Sequence, residues 1–393
     1  MSDDLKNKTP VRDVEHYVDP EPFNPAVVEE LSPEQEQFYQ ASQWQIMWWK
    51  FKRHKLAVWS GVVLLIFYLC VPFAEIIAPY APDTRDSYHL YAPPQPLHLF
   101  HEGEFVGPFV YGLKSEINME TLQWEYSPDL EKVQPLRFFC LGDDYEFWGL
   151  VPATFHLFCP ADGGTAFLLG TDRLGRDQFS GLVYGARLSL TIGLVGVTIS
   201  IVLGLFFGGI AGYFGGIADT LIQRLIEIMR SLPELPLWMA LSAALPVTWS
   251  PVWVYFGLTI ILGLLDWPGL ARAVRSKLLS LREEEYAKAA VMMGAKPKRV
   301  ITRHLLPGFT SHIIASASLS IPAMILGETA LSFLNLGLRR PAISWGVLLN
   351  EAQNISVVTV YPWLMAPVIP IIIVVLAFNF LGDGLRDAAD PYK

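Results

Sequence analysis

Long apolar runs alternate with polar, charged stretches along this 393-residue chain. A helix of roughly 20 apolar residues spans a bilayer core. Six runs meet that length, approximately 56–78, 188–212, 217–245, 252–271, 308–334 and 362–385. Prolines inside them, among them Pro322, Pro367 and Pro370, are tolerated in membrane helices because neighbours and water satisfy the freed backbone groups. The pattern predicts an all-α polytopic membrane protein with six transmembrane helices.

The polar stretches define the remaining organisation. Residues 1–42 are rich in Pro, Glu, Asp and Gln without helical periodicity, and read as a mobile tail. Residues 43–78 hold an interfacial helix and the first span. Trp44, Met47, Trp48 and Phe51 recur at helical spacing beside Lys50, Lys52, Arg53 and Lys55, a pattern that fits an interfacial helix and equally the flank of a span. Residues 79–185 form an insertion whose Pro, Gly and aromatic content, with runs such as PLRFFCLG and ATFHLFCP, predicts a small β-rich subdomain. Residues 186–393 carry the other five spans, interrupted by a basic loop at 272–307.

Composition agrees with a membrane class. The chain is 52% hydrophobic, its mean hydropathy is +0.34, and only 17% of residues are charged, against about 25% in soluble domains. Three cysteines are too few for a disulfide scaffold. Cys140 and Cys159 both lie in the insertion, where an oxidising compartment permits a bridge; the sequence leaves bridged and free states open. Cys70 reads as a packing residue of the first span. The histidines are dispersed, without metal-ligand spacing, and no nucleophile–base or paired-carboxylate arrangement is evident. A net charge of −9 disfavours nucleic acid.

The charge is unevenly distributed. Segment 272–303 holds Arg272, Arg275, Lys277, Arg282, Lys288, Lys296, Lys298, Arg299 and Arg303, whereas 79–185 has over twice as many acids as bases. The positive-inside rule then places the N-terminus, the 272–303 loop and the C-terminus in the cytoplasm and the insertion outside.

Three motifs stand out. Gly196, Ser200, Gly204, Gly208 and Gly212 recur every four residues, giving the second span a small face for close helix packing. GTDRLGRD (170–177) gathers Gly170, Thr171, Asp172, Arg173, Gly175, Arg176 and Asp177 just before that span, and reads as a structural corner ahead of substrate contact, with contact with an external partner as a third role. In EYAKAAVMMGAKPKRVITRHLLP (285–307), Tyr286, Ala289, Ala290 and Met293 predict one narrow helical face. Gly294 ends that helix, Ala295 and Lys296 follow, and Pro297 suits the first turn of a second helix with Val300, Ile301, His304 and Leu305 on its apolar side. Glu227 between Arg224 and Arg230 reads as an ion pair at the end of the third span, and Asp266 and Glu328 as pathway-facing or paired.

GTDRLGRDQFSGLVYGARLSLTIGL (170–194), the 285–307 unit, GETALSFLNLG with ISWGVLL (327–349) and PWLMAPVIPIIIVVLAFNFLGDGLRDAADP (362–391) together resemble the C-type permease subunits of dipeptide, oligopeptide and nickel ABC importers. The resemblance covers about 170–391 and the first span; the insertion is longer than usual there. It implies the type I ABC importer permease fold in a bacterial inner membrane. It also implies a homologous second permease, two ABC ATPases and an extracytoplasmic substrate-binding protein as partners, beside membrane lipid. The family's coupling pattern, E-A-A-x-x-x-G, nine residues, I-x-L-P, falls here on Lys288, Ala289, Ala290, Gly294, His304, Leu306 and Pro307. Lys288 replaces the Glu and His304 the Ile, so the Glu's charge contact is not carried over. By composition alone the unit reads equally as a solvated connector that obeys the positive-inside rule; the resemblance implies that it acts as a coupling lever for an ATPase. No G-x-x-x-x-G-K-[ST] occurs, so the chain needs no cofactor of its own and ATP and Mg belong to the partner. Peptides are the expected substrate, with oligosaccharide, opine or nickel as alternatives. A secondary transporter predicts internal repeats and charged midplane residues; a membrane-anchored enzyme or sensor predicts a catalytic set within 79–185; neither feature is evident.

Overall fold

The computed structural model describes residues 41–120 and 124–389. The expected tail therefore lies outside the described residues except for 41 and 42. The chain divides into two units, 1–46 and 47–393. In the first, the Ser42 amide donates to Gln45 Oε1 at 2.8 Å and the Gln45 amide to Ser42 Oγ at 3.4 Å. This reciprocal capping box starts helix α1, Gln43–Arg53.

The larger unit is built on long apolar helices. Five described stretches are long and apolar enough to cross a membrane: Lys55–Ile77, Gln178–Phe214, Pro251–Leu281, His312–Phe333 and Pro362–Ala389. They contain α2 (Lys55–Cys70), α3 (Gln178–Phe214), α6 (Pro251–Leu281), most of α8 (Thr310–Phe333) and α10 (Val368–Ala389). The run at 217–245 is not the single helix its hydropathy predicts. It forms α4 (Gly216–Ser231) and α5 (Glu234–Ala243), parted at Leu232. Leu232 is extended, with φ −93° and ψ 140°, because the ring of Pro233 disfavours helical backbone in the residue before it. Two shorter helices, α7 (Glu285–Met292) and α9 (Trp345–Leu349), lie in the connections.

One buried apolar cluster joins the spans, including Leu64 of α2, Leu190 and Ile192 of α3, Leu258 and Leu262 of α6, Ile325 of α8 and Val374 and Phe378 of α10. First and last spans approach closely: a Cβ on Gly384 would stand 2.2 Å from the Ala57 methyl.

Between α2 and α3 the described residues form five strands: β1 (His98–His101), β2 (Glu104–Ile117), β3 (Trp124–Pro135), β4 (Arg137–Phe147) and β5 (Val151–Cys159). They make an antiparallel β1-β2-β3 sheet and a β4-β5 hairpin. A disulfide joins Cys140 to Cys159 across the hairpin. Cys70 is free.

Candidate coupling and transport site

Two charged regions bracket the bundle, and they are built differently. At the N-terminus of α3, GTDRLGRD folds into a buried corner. Asp172 Oδ1 accepts from the amides of Leu174 and Arg176 at 2.8 and 3.0 Å, and its Oδ2 pairs with Arg176 Nε at 2.6 Å. Thr171 accepts from the Ala92 amide at 2.7 Å and donates to the His89 carbonyl. Asp177 caps α3, accepting from the Ser180 amide at 2.7 Å; burial pushes its carboxyl up to about 6. Gly170 and Gly175 take positive φ, and a Cβ on Gly175 would stand 1.9 Å from the Asp86 carbonyl oxygen. The corner then reaches 168 residues along the chain, where Arg340 approaches Asp172 Oδ2 at 3.4 Å. Glu351 approaches Arg173 at 3.4 Å and Arg176 at 3.5 Å. These ties join the corner to the 340–351 segment. Beside it lies an open polar cavity of about 370 Å³, lined by Tyr91, Arg173, Asn335, Arg339, Arg340 and Glu351 among others.

Just after the C-terminus of α6, helix α7 closes with a Schellman motif. Gly294, at φ +81°, donates to Val291 O at 2.9 Å and Ala295 to Ala290 O at 3.1 Å. The predicted narrow face is split. Ala290 is buried, with Ala287 beside it, whereas Tyr286, Ala289 and Met293 face outward, Met293 at 81% exposure. Ala287 joins Val300, Leu305 and Phe309 against Val274 and Leu278 of α6 and Ile313 of α8. The physical reason is the turn at Gly294: folding the following segment back against α7 covers the side bearing 287 and 290. The expected second helix is also irregular. Pro297–Arg299 makes a single turn, Val300–Leu305 widens to π geometry, and Leu306–Phe309 tightens to 3₁₀ around Pro307. Lys296 caps the first of these turns, and His304 is half-buried. Lys288 pairs with Glu283 at 3.3 Å and both are exposed; this partner holds the Glu283 carboxyl below the usual range.

The small face of α3 packs on α6. A Cβ on Gly204 would stand 2.9 Å from Leu270 Cβ, on Gly208 2.6 Å from the Ala271 carbonyl, and on Gly212 2.8 Å from Leu278 Cβ. Gly196 faces Met324 of α8, and Ser200 donates to Asp266 Oδ2 at 2.7 Å. Removing side chains on one face lets two backbones close, the arrangement that packs helices in lipid.

Comparison with known proteins follows the same divisions. Residues 201–392 match the family described as binding-protein-dependent transport system inner membrane component. Residues 42–94 match the N-terminal TM domain of oligopeptide transport permease C. A dipeptide transport system permease protein, DppC of Bacillus subtilis, is 41% identical over 226 residues, covering 56% of this chain and 68% of that protein. The oligopeptide permease OppC of Haemophilus influenzae is 38% identical over 223 residues, covering 56% of this chain and 69% of its own length. The chain belongs to this permease family. A fainter likeness, 20% identical with a TM-score of 0.41, links 53% of the chain to 96% of a chain of the methionine ABC transporter MetNI in an inward-facing form. Neither family match covers residues 95–200.

In this permease some polar contacts were not visible from the sequence motifs. Glu328 of α8 is fully buried and accepts from Ser344 at 2.6 Å, Ser332 at 2.7 Å and Ser189 at 3.3 Å. Ser344 also caps α9, and Ser189 accepts from the Trp345 amide at 3.1 Å. Glu328 is therefore held by three serine hydroxyls that join α3 and α8 to the cap of α9. Glu227 pairs with Arg224 at 2.8 Å on an exposed surface and not with Arg230. The tie between α4 and α6 is instead Asp219 with Arg275 at 2.5 Å. A cavity of about 210 Å³ between α3, α6 and α8 holds Ser200, Asp266, Arg230, Ser316 and Ser320.

Proposed function

We propose that this permease forms half of the pathway of an ATP-driven peptide importer, paired with a homologous permease, two ATPases and a binding protein on the insertion side. The observation that carries the reading is the construction of the 285–307 unit. Its buried side is locked to the inner ends of three spans, whereas Tyr286, Met292 and Met293 stand exposed on its tip. A push on that tip is passed to the spans through this packed apolar underside. Basic residues around the unit support a topology with it and both termini in the cytoplasm of a bacterial cell and the strands outside. Residues 1–42 are then a cytoplasmic tail, 43–78 the interfacial helix and first span, 79–185 the outer insertion, and 186–393 the core with its 272–307 loop.

The sixth crossing, in this reading, is the broken pair α4–α5. Non-helical backbone is tolerated at membrane depth where it lines a cavity, and Arg230, Leu232 and Glu234 line one of about 140 Å³ at the break. Nucleotide and Mg belong to the ATPase, and the binding protein does most of the substrate selection. Peptide is favoured over nickel, opine or oligosaccharide by the relatives named above. Reconstitution tests this. The complete set of subunits in proteoliposomes takes up labelled peptide only with ATP; the permease alone takes up none. Uptake by the permease alone would overturn the proposal.

A further inference from the structure

We propose that the tip of the β4-β5 hairpin, Trp148–Gly149–Leu150–Val151, is a membrane anchor seated in the lipid on the insertion side. Two contacts fix the hairpin's direction. His156, on β5, meets the Ala78 carbonyl at 2.6 Å, just past the end of the first span. Trp148, at the tip, donates from Nε1 to the Pro72 carbonyl and from its amide to Glu75 Oε1, both at 3.1 Å. The hairpin therefore runs down alongside the span, tip foremost.

The depth follows from the same register. Pro72 stands seventeen residues beyond Lys55, where the first apolar stretch begins, so it lies about 26 Å along the helix. A hydrocarbon core is about 30 Å thick, and the Trp148 ring thus falls at its edge, the level where Trp is enriched. Arg187 lies 4.2 Å over that ring and pairs with Glu75 at 2.5 Å, so the polar groups at this depth are satisfied within the protein. What remains at the tip is apolar and uncovered: Leu150 is 83% and Val151 57% exposed. Leu69 and Phe73 of the adjacent span are also exposed, so the tip continues a surface already facing lipid. Glu146, which pairs with Pro152 one rung above the tip, is the first charged residue on the way out and limits the depth of immersion. The anchor lies in the region that neither family match covers.

The test is a nitroxide label at Leu150→Cys in the reconstituted full-length permease. Cys70→Ala removes the free thiol, while Cys140 and Cys159 are engaged with each other. Asp162→Cys, beyond the opposite end of the hairpin, is the aqueous reference. Collision with oxygen, which concentrates in lipid, is compared with collision with a water-soluble nickel chelate. The oxygen-to-nickel ratio at position 150 should exceed that at 162 by about threefold or more. Val151→Cys gives the same reading if Leu150→Cys folds poorly. Equal ratios would overturn the anchor, and so would a label shielded from both reagents, which would show that protein covers the tip. Neither outcome bears on the transport proposal.

Discussion

The corner at 170–177 and the unit at 285–307 are both charged motifs of the permease, and their charges are disposed in opposite ways. In the corner nearly every charge is turned inward: Asp172 and Arg176 are buried, and Arg340 and Glu351 arrive from a distant loop to meet them. Burial and the nearby Arg176 guanidinium lower Arg340's affinity for its proton. In the 285–307 unit the charges are exposed, and backbone geometry with an apolar underside holds the shape. A region whose charges are tied mainly to its own residues suits a rigid seat; one that leaves its tip open suits a partner.

That contrast gives graded expectations. Asp172→Ala should have the largest effect on stability, since removing one member of a buried pair costs about 3–5 kcal/mol; thermal unfolding in detergent checks it. Should the loss match that of an exposed pair, the corner is not the seat described. On the packed face, Gly208→Leu must push apart backbones with no free space and should cost about 1–3 kcal/mol or more. Gly196→Ala, whose Cβ would meet the flexible Met324 side chain at 3.2 Å and the Thr259 carbonyl only at an ordinary 3.8 Å, should be far milder. Equal effects would remove the distinction between backbone and side-chain contact on that face.

A pH effect separates the regions further. Burial raises the folded Asp177 carboxyl from 3.8 to about 6, so the unfolded chain loses this proton first as pH rises. Stability from this group is therefore greatest at low pH, falls between about 4 and 6, and is flat above. Asp177→Asn keeps an acceptor for the Ser180 amide and should abolish that slope; a slope that persists would place its origin elsewhere. The smallest effect is expected in the exposed unit. Lys288→Glu exchanges an exposed pair with Glu283 for an exposed like-charge contact and, screened by solvent, should change stability less than any substitution above, measured by the same unfolding assay.

Legibility from sequence divides along local and distant contacts. The four-residue period of Gly196 to Gly212 and the Gly–x–x–Pro at 294–297 are local signals, and both contribute directly to helix packing and helix ending. The break at Leu232 was hidden because Pro233 looks like Pro268, yet α6 continues through Pro268 with Trp267 held helical and buried beneath it. The rule for residues before proline acts in the first case and is overridden by packing in the second. The serines around Glu328 and the Arg340 and Glu351 arms of the corner lie up to 178 residues from their partners, and no periodicity links such positions. The inward turn of Ala290 was missed for a related reason: periodicity marks a face, but only the folded-back 297–309 segment decides which side of α7 it covers.

The most direct test of the coupling claim is a cysteine at Met293, the exposed tip of the lever, in a background with Cys70→Ala. With the ATPase carrying single cysteines around its surface, position 293 should cross-link to it and peptide uptake should stop once linked. Modification of that cysteine from the insertion side of the membrane, or normal uptake after cross-linking, would contradict the account.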